Sequence, residues 1–163
     1  MDFPFITAGT FSIFIAPDPL LCRVLEAPLR QERQRVLYIC GNHSRVLSRL
    51  DRRCPAFHIR RSFTVFQLLS ILEEADETCI VLEHDRSIYD DAPELVPAVA
   101  CALVDRAEQA TVILIAPAFD PVLGTMCGRA GRVVYVEDKA KRRPDRERGH
   151  VALLPQQTTL EAF

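Results

Sequence analysis

The stretch that decides the fold runs from Phe11 to Glu26 and reads FSIFIAPDPLLCRVLE. It begins with a short apolar run, which is typical of a buried strand. It ends with apolar residues at the spacing of one helical face. Ala16, Pro17, Asp18 and Pro19 form the turn between the two. A strand followed at once by an amphipathic helix is the repeating unit of α/β proteins, so the stretch predicts that fold class.

Strand and helix patterns alternate along the rest of the chain. The apolar runs between Arg35 and Ile115 are continuous, which is typical of parallel strands covered on both faces. Thr64–Ala75 and Pro93–Glu108 each place apolar residues on one helical face, and Thr64 is expected to cap the first helix. A short helix is also expected within Gly41–Leu50. The predicted strands are Ser12–Ala16, Arg35–Cys40, Ala56–Ile59, Thr78–Leu82, Thr111–Ile115, Arg132–Glu137 and Val151–Leu154.

These patterns predict a single α/β domain over residues 1–163, with a mainly parallel central sheet and helices on both of its faces. The final strands, Arg132–Glu137 and Val151–Leu154, are expected to form a C-terminal antiparallel hairpin. Residues 138–149 between them are almost wholly charged, which predicts a mobile loop. A chain of 163 residues is long enough to bury a core of this kind.

The composition excludes several classes of protein. A net charge of −2 argues against a generally basic nucleic-acid binder. The six cysteines are scattered and form no C-x-x-C pair, so free thiols are expected rather than a metal site or a disulfide framework. No apolar run is long enough to cross a bilayer and no signal-peptide pattern follows Met1, so we expect a cytoplasmic protein.

Several segments resemble the RecA/RadA recombinase superfamily, in the order in which that family has them. The resemblance is to archaeal RadA and RadB proteins in particular, and it implies a RecA-like three-layer sandwich. It extends over most of the chain, from about Thr10 to Phe163. The segments that carry it are RVLYICGN, IRRSFTVFQLLSILEE, TCIVLEHDRSIYDD, TVILIAPAF and AGRVVYVED with HVALLPQQTTLEAF.

The resemblance implies that the Phe11–Glu26 stretch occupies the place of the family's phosphate loop. That loop has the pattern G-x-x-x-x-G-K-[ST], whose backbone N–H groups and lysine bind nucleotide phosphates. Here Ala16, Pro17, Asp18 and Pro19 supply no glycine, lysine or serine, and the first lysine of the chain is Lys139. The resemblance therefore implies a degenerate nucleotide site, with no cofactor and no ATPase activity.

Other positions that match the family's nucleotide site have also changed. Asn42 stands at about the place of the glutamate that activates water, and Cys40 replaces the preceding aspartate. Ala118 aligns with the glutamine that senses the terminal phosphate. Glu83 alone matches an acidic residue that helps to hold Mg²⁺. A lone carboxylate holds Mg²⁺ poorly, because the ion normally also borrows substrate phosphates as ligands.

Two further interactions are predicted from short patterns. FITA, from Phe5 to Ala8, matches the F-x-x-A pattern with which RadA-type recombinases dock onto a neighbour, so Phe5 and Ala8 are candidate partner contacts. The alternative is that this segment begins the first strand, with Phe5 and Ile6 in the core. Weak, sequence-independent nucleic-acid contact is assigned to the basic residues of the charged loop, Lys139, Lys141, Arg142, Arg143, Arg146 and Arg148.

We therefore expect a non-catalytic recombinase paralogue that acts as an accessory or scaffold protein in DNA recombination or repair. Its expected partner is a RecA/RadA-like relative or a second copy of itself. One alternative is an enzyme or small-molecule binder that uses the carboxyl edge of the sheet. Glu83 and Asp85, with His43, are weighed there as a metal site against an ordinary polar sheet edge. Another alternative is a weak, non-specific DNA-binding module.

Overall fold

A computed structural model describes residues 6–31, 33–50, 56–136 and 157–159. The strands are β1 (Phe11–Ile15), β2 (Val36–Cys40), β3 (Phe57–Arg61), β4 (Cys79–Glu83), β5 (Thr111–Ala116), β6 (Arg132–Tyr135) and β7 (Gln157–Thr159). The α-helices are α1 (Asp18–Leu29), α2 (Val65–Glu74), α3 (Val96–Ala107) and α4 (Pro121–Cys127). Short 3₁₀ turns occupy Leu47–Arg49, Arg86–Tyr89 and Pro93–Leu95.

The described strands form one sheet in the order β3-β2-β4-β5-β1-β6-β7. Every pairing among them is parallel, so all the strands end at the same edge of the sheet. The strands β1, β2, β4 and β5 are buried along their whole length. This burial explains their continuous apolar sequences, because strands at the centre of such a sheet are covered on both faces.

Helices cover both faces of the sheet, and each face has its own apolar core. Alternate residues of a strand point to opposite faces. Accordingly, Phe14 packs with Leu21 and Leu25 of α1 in one core. Ile13 belongs to the other core, which is built with residues of α2, α3 and α4. The described part of the chain is therefore an α/β sandwich, and the prediction of an α/β fold with a mainly parallel sheet is confirmed.

Local predictions agree in part with the helix ends that the structure shows. The side chain of Thr64 accepts a hydrogen bond from the Gln67 backbone N–H and caps α2, as expected. The region predicted as a helix from Pro93 is instead a 3₁₀ turn followed by α3. The short helix expected after β2 is reduced to the 3₁₀ turn Leu47–Arg49. The helix α4 was missed, because it is short, begins at Pro121 and follows a turn that contains Pro117.

The C-terminal antiparallel hairpin is not among the described pairings. The neighbours of β6 are β1 and β7, and both pair with it in parallel. The connection from Tyr135 to Gln157 is long enough for the crossover that a parallel pair requires. The predicted strand Val151–Leu154 and the predicted mobile loop 138–149 lie outside the described residues. Within the described part of the chain, no helix is long and apolar enough to cross a membrane.

Candidate functional site

The turn between β1 and α1, where a degenerate phosphate loop was predicted, is very short. Only Ala16 and Pro17 separate β1 from α1, which begins at Asp18. The Ala16 N–H donates to the carbonyl oxygen of Ala116, with 3.0 Å between the two atoms, so this N–H is turned into the sheet. Pro17 and Pro19 have no N–H to offer. The connection therefore presents few of the backbone donors from which a phosphate cradle is made.

Glu83 ends β4 at the carboxyl edge and is 8% exposed. Its Oε2 accepts a hydrogen bond from the Tyr38 hydroxyl at 2.7 Å and another from the Ser44 hydroxyl. Its Oε1 accepts a bond from the Arg45 backbone N–H at 2.9 Å. Three protein donors thus engage both carboxylate oxygens. The Glu83 side chain joins three segments of the chain, namely β2, β4 and the loop after β2.

The two hydroxyl groups bound to Glu83 are themselves held in place. Burial raises the pKa of Tyr38, and the neighbouring Glu83 carboxylate raises it further, so the phenol stays protonated and donates. Ser44 Oγ also accepts a bond from the Leu47 backbone N–H at 2.9 Å and thereby starts the 3₁₀ turn after it. The network therefore fixes the backbone of the loop after β2.

The same loop is held from its other side. Arg61 at the end of β3 donates from Nη1 to the carbonyl oxygens of Gly41 and Asn42, at 2.9 Å each. The Asp85 carboxylate lies against Gly41, where any Cβ would overlap it, so this close approach requires glycine. Asp85 Oδ1 in turn accepts bonds from the backbone N–H and the hydroxyl of Ser87. Asn42 itself is exposed at the tip of this fixed loop.

His84 and Asp120 form a second polar contact at the carboxyl edge, after the ends of β4 and β5. His84 Nε2 lies 2.7 Å from Asp120 Oδ2. The Asp120 Oδ1 atom accepts a bond from the Leu123 backbone N–H and so caps α4. Burial works against ionisation of Asp120. The bonds from Leu123 and His84 outweigh it, and the pKa of Asp120 is lowered. The pair ties the exit of β4 to the start of α4.

His84 and Tyr89 leave two buried polar atoms without partners among the described residues. The side chain of His84 is 5% exposed, and its Nδ1 has no hydrogen-bond partner there. The Tyr89 hydroxyl is also buried and unbonded within the same residues. The two rings are stacked, with centroids 6.0 Å apart. Buried polar atoms are paired in nearly all native structures, so this corner of the edge can accept a further polar group.

The structure brings together only some of the residues singled out in the sequence. Glu83 and Asp85 lie near each other, but Asp85 faces Gly41 and Glu83 is enclosed by its donors. No group of three or more His, Cys, Asp or Glu side chains that could hold a metal occurs within the ranges that the structure describes. Asp18 lies 3.8 Å from the Arg45 Nε in a loose ion pair.

The predicted partner and nucleic-acid contacts are mostly outside the described residues. Phe5 and all six basic residues of the charged loop fall there. Ala8 is exposed beside a turn in which Gly9 has a φ of 75°. Ile6 packs against the core on the α1 face, as the alternative expected, but β1 begins only at Phe11, so this segment does not begin the first strand.

Sequence analysis missed three residues that build the edge, namely Tyr38, Ser44 and Asp120. Tyr38 lies inside an apolar strand and gave no signal of its hydroxyl contact. Ser44 is an ordinary loop residue in the sequence. Asp120 precedes Pro121, and an aspartate before a proline is a recognisable signal for the start of a helix. That signal could have identified both α4 and its cap.

A separate concavity lies at the opposite, amino edge of the sheet. It has a volume of about 460 Å³ and is lined by Ala8, Gly9, Gln31, Arg33, Gln34, Thr78, Glu108, Gln109, Ala110 and Thr111. Thr78 and Thr111 lie at the starts of β4 and β5, so the concavity is far from Glu83 and His84, where those strands end. In parallel α/β sheets ligands bind at the carboxyl edge, and we place the candidate site there.

Comparisons with known proteins add a relative but no function. No family model matches the chain. A protein of Archaeoglobus fulgidus described as "Uncharacterized protein" is 40% identical over 55 residues. The matched segment covers 34% of this chain and 27% of that relative.

Proposed function

We propose that the protein is a non-catalytic RecA/RadA-like paralogue that acts as an accessory or scaffold protein in DNA recombination or repair, through contacts with other proteins. The observation that carries the loss of catalysis is the engagement of Glu83. A carboxylate has about four acceptor positions, and three bonds from Tyr38, Ser44 and Arg45 occupy most of them. Glu83 therefore acts as a structural anchor rather than as a ligand of Mg²⁺.

The short connection between β1 and α1 supports the same proposal. A nucleotide-binding loop needs several free N–H groups and a lysine. Ala16 uses its N–H within the sheet, and the residues on either side of Asp18 are prolines. The strand order and the helices on both faces are compatible with a RecA-like three-layer core, which we adopt as part of the proposal.

A thermal-shift experiment with ATP and Mg²⁺ tests the loss of nucleotide binding. A ligand at one hundred times its Kd adds about 2.7 kcal/mol to the free energy of unfolding. For a chain of this size that would raise the Tm by roughly 5–10 °C. We expect millimolar ATP with Mg²⁺ to leave the Tm unchanged. A reproducible rise that disappears in Glu83→Gln would contradict the proposal, and an intact ATPase measured in parallel validates the assay.

The proposed partner is a RecA/RadA-like protein with an intact ATP site, or a second copy of this chain. The turn between β5 and α4 supports a protein contact, because Ala116, Pro117 and Ala118 lead to Phe119, which is 56% exposed. An exposed aromatic side chain in an apolar turn is common at interfaces. Size-exclusion chromatography with light scattering, with and without a purified RadA-type recombinase, should show a complex that Phe119→Ala weakens. A strictly monomeric chain in both samples would refute the scaffold role.

One observation favours a second candidate function, that of a small-molecule binder or enzyme at the carboxyl edge. His84 Nδ1 and the Tyr89 hydroxyl are buried polar atoms without partners among the described residues. A bound polar metabolite would supply those partners. Native mass spectrometry of the purified protein tests this alternative. A stoichiometric ligand that is lost in His84→Ala would favour it over the scaffold role.

A further inference from the structure

The concavity at the amino edge of the sheet has no role in the proposed scaffold function. Its lining comes from residues 8 and 9 before β1, from residues 31, 33 and 34 after α1, and from residues 108 to 110 after α3. Thr78, just before β4, and Thr111, at the start of β5, complete it. We call it the amino-edge concavity. Its volume of about 460 Å³ is within the range of small-molecule sites.

Thr111 brings a buried hydroxyl group to the amino-edge concavity. The residue is 8% exposed, and its hydroxyl forms no hydrogen bond with any described residue. The Thr78 hydroxyl is different, because it donates to the carbonyl oxygen of Arg35 at 3.3 Å. Polar groups on buried residues nearly always have a partner. A ligand in the concavity would supply one for Thr111.

Two opposite charges also line the amino-edge concavity. Arg33 and Glu108 are both exposed, and neither forms an ion pair with any described residue. Their neighbours at this edge are already paired, since Arg35 Nη1 lies 3.1 Å from Asp76 Oδ2. Glu32 lies outside the described residues, so no role is assigned to it. One guanidinium and one carboxylate are therefore available to the same ligand.

The position of Glu108 favours a cationic group beside it. The helix α3 has 12 residues, and Glu108 is its C-cap. The C-terminal end of a helix carries a partial negative charge, which cations stabilise and anions do not. The basic residue of the last turn, Arg106, donates to the carbonyl oxygen of Ala75. Glu108 thus adds a second negative charge to the helix end, and a bound cation would offset both.

We propose that the amino-edge concavity binds a free amino acid with a polar side chain. Arg33 binds the carboxylate, because a guanidinium matches the two oxygens of that group. Glu108 and the end of α3 bind the ammonium group. The Thr111 hydroxyl and the amides of Gln31 and Gln109 then face the polar side chain of the ligand. No described residue of the lining is aromatic, so a nucleobase finds no ring on which to stack.

A thermal-shift screen on the full chain tests the proposal. The probes are L-serine, L-threonine, L-asparagine and L-glutamine, each at millimolar concentration, and at least one should raise the Tm. Calorimetric titration then gives its Kd. The N-acetyl derivative of that amino acid lacks the ammonium group, and its α-amide lacks the carboxylate. Each derivative should bind about tenfold more weakly or worse, because bonds to charged groups contribute strongly.

Two variants assign the charges of the ligand to their partners. In Arg33→Gln, the amino acid and its α-amide should bind equally well, because the partner of the carboxylate is gone. In Glu108→Gln, the amino acid and its N-acetyl derivative should bind equally well. Arg129→Gln and Glu73→Gln change exposed residues that do not line the concavity, so they are the matched controls. Both controls should keep the preferences of the unmodified chain.

Thr111→Val separates binding from folding. The change keeps the shape of the side chain and removes a hydroxyl that has no partner among the described residues. The Kd should rise by about threefold or more, as expected for the loss of one hydrogen bond. The Tm of the free protein should stay the same or rise, because no bond within the described structure is lost.

Three results would overturn the proposal. They are an unchanged Tm with all four amino acids, equal binding of an amino acid and both of its derivatives by the unmodified chain, and a Tm rise that persists in Arg33→Gln but disappears in His84→Ala. The last result would place the ligand at the carboxyl edge. The proposal does not depend on the scaffold role, because binding is measured without any protein partner.

Discussion

Glu83 and Asp120 are acidic residues that connect segments at the carboxyl edge. The polar atoms around Glu83 are hydrogen-bonded more fully than those around Asp120. Glu83 accepts bonds from three donors, and the hydroxyl of Tyr38 beside it is bonded. Asp120 caps α4 and bonds to His84 Nε2. However, His84 Nδ1 and the Tyr89 hydroxyl both lack partners among the described residues.

The difference shows that the polar atoms around Glu83 are hydrogen-bonded within the protein, whereas two of those around His84 are not bonded to any described residue. Around Glu83, both carboxylate oxygens accept hydrogen bonds from protein donors. Around His84 two buried polar atoms are left over within the described part of the chain, which costs free energy unless another molecule supplies the missing bonds. The Glu83 cluster is therefore expected to control stability, whereas the His84 cluster is where an additional ligand would fit.

The largest effect is expected from Glu83→Ala. This change removes the acceptor of three hydrogen bonds and leaves the Tyr38 hydroxyl buried without its acceptor. Bonds to a charged group and unsatisfied buried donors both contribute, so the free energy of unfolding should fall by about 3–5 kcal/mol. Urea denaturation measures the loss. Glu83→Gln keeps one acceptor oxygen and the volume of the side chain, and it should lose less.

A smaller effect is expected from Asp120→Ala, which removes both the cap of α4 and the partner of His84. The free energy of unfolding should fall by about 2 kcal/mol. Asp120→Asn keeps an oxygen for the cap and should recover part of the loss. Equal losses in the two variants would show that the cap contributes nothing measurable.

The pH dependence of the Asp120 contribution has a definite sign. The pKa of Asp120 is lowered in the folded state from an ordinary value of 3.8. Its ionised form therefore stabilises the fold above that value, and this stabilisation is lost as the pH falls through the lower folded-state pKa. The difference in Tm between the unmodified chain and Asp120→Asn should stay constant near neutral pH and change only below about pH 4. A difference in Tm that already changes near neutral pH would contradict this assignment.

The two buried tyrosines provide the smallest and most direct comparison. Tyr38→Phe breaks the 2.7 Å bond to Glu83 and should lower the free energy of unfolding by about 1–2 kcal/mol. Tyr89→Phe removes a hydroxyl that has no partner among the described residues, so stability should stay the same or rise slightly. A decrease in Tyr89→Phe as large as that in Tyr38→Phe would show that the Tyr89 hydroxyl is bonded in solution.

Much of the fold could be predicted because it depends on patterns that are local in sequence. Continuous apolar runs identified β1, β2, β4 and β5, and apolar periodicity with the Thr64 cap identified α2 almost to the residue. The pairing of the C-terminal strands could not be predicted in this way, because strand pairing depends on residues that are distant in sequence. The structure gives β6 a parallel neighbour instead.

The sequence by itself determined the α/β class and the turn Ala16–Pro19 without glycine or lysine, since these depend on residue type and spacing. Only the tertiary structure decided what the polar residues do. Tyr38 and Glu83 are 45 positions apart in the chain, and Asp120 lies 36 positions from His84. Such contacts form because parallel strands bring their ends to one edge. Which donors then reach a carboxylate depends on packing at that edge, and no local pattern records it.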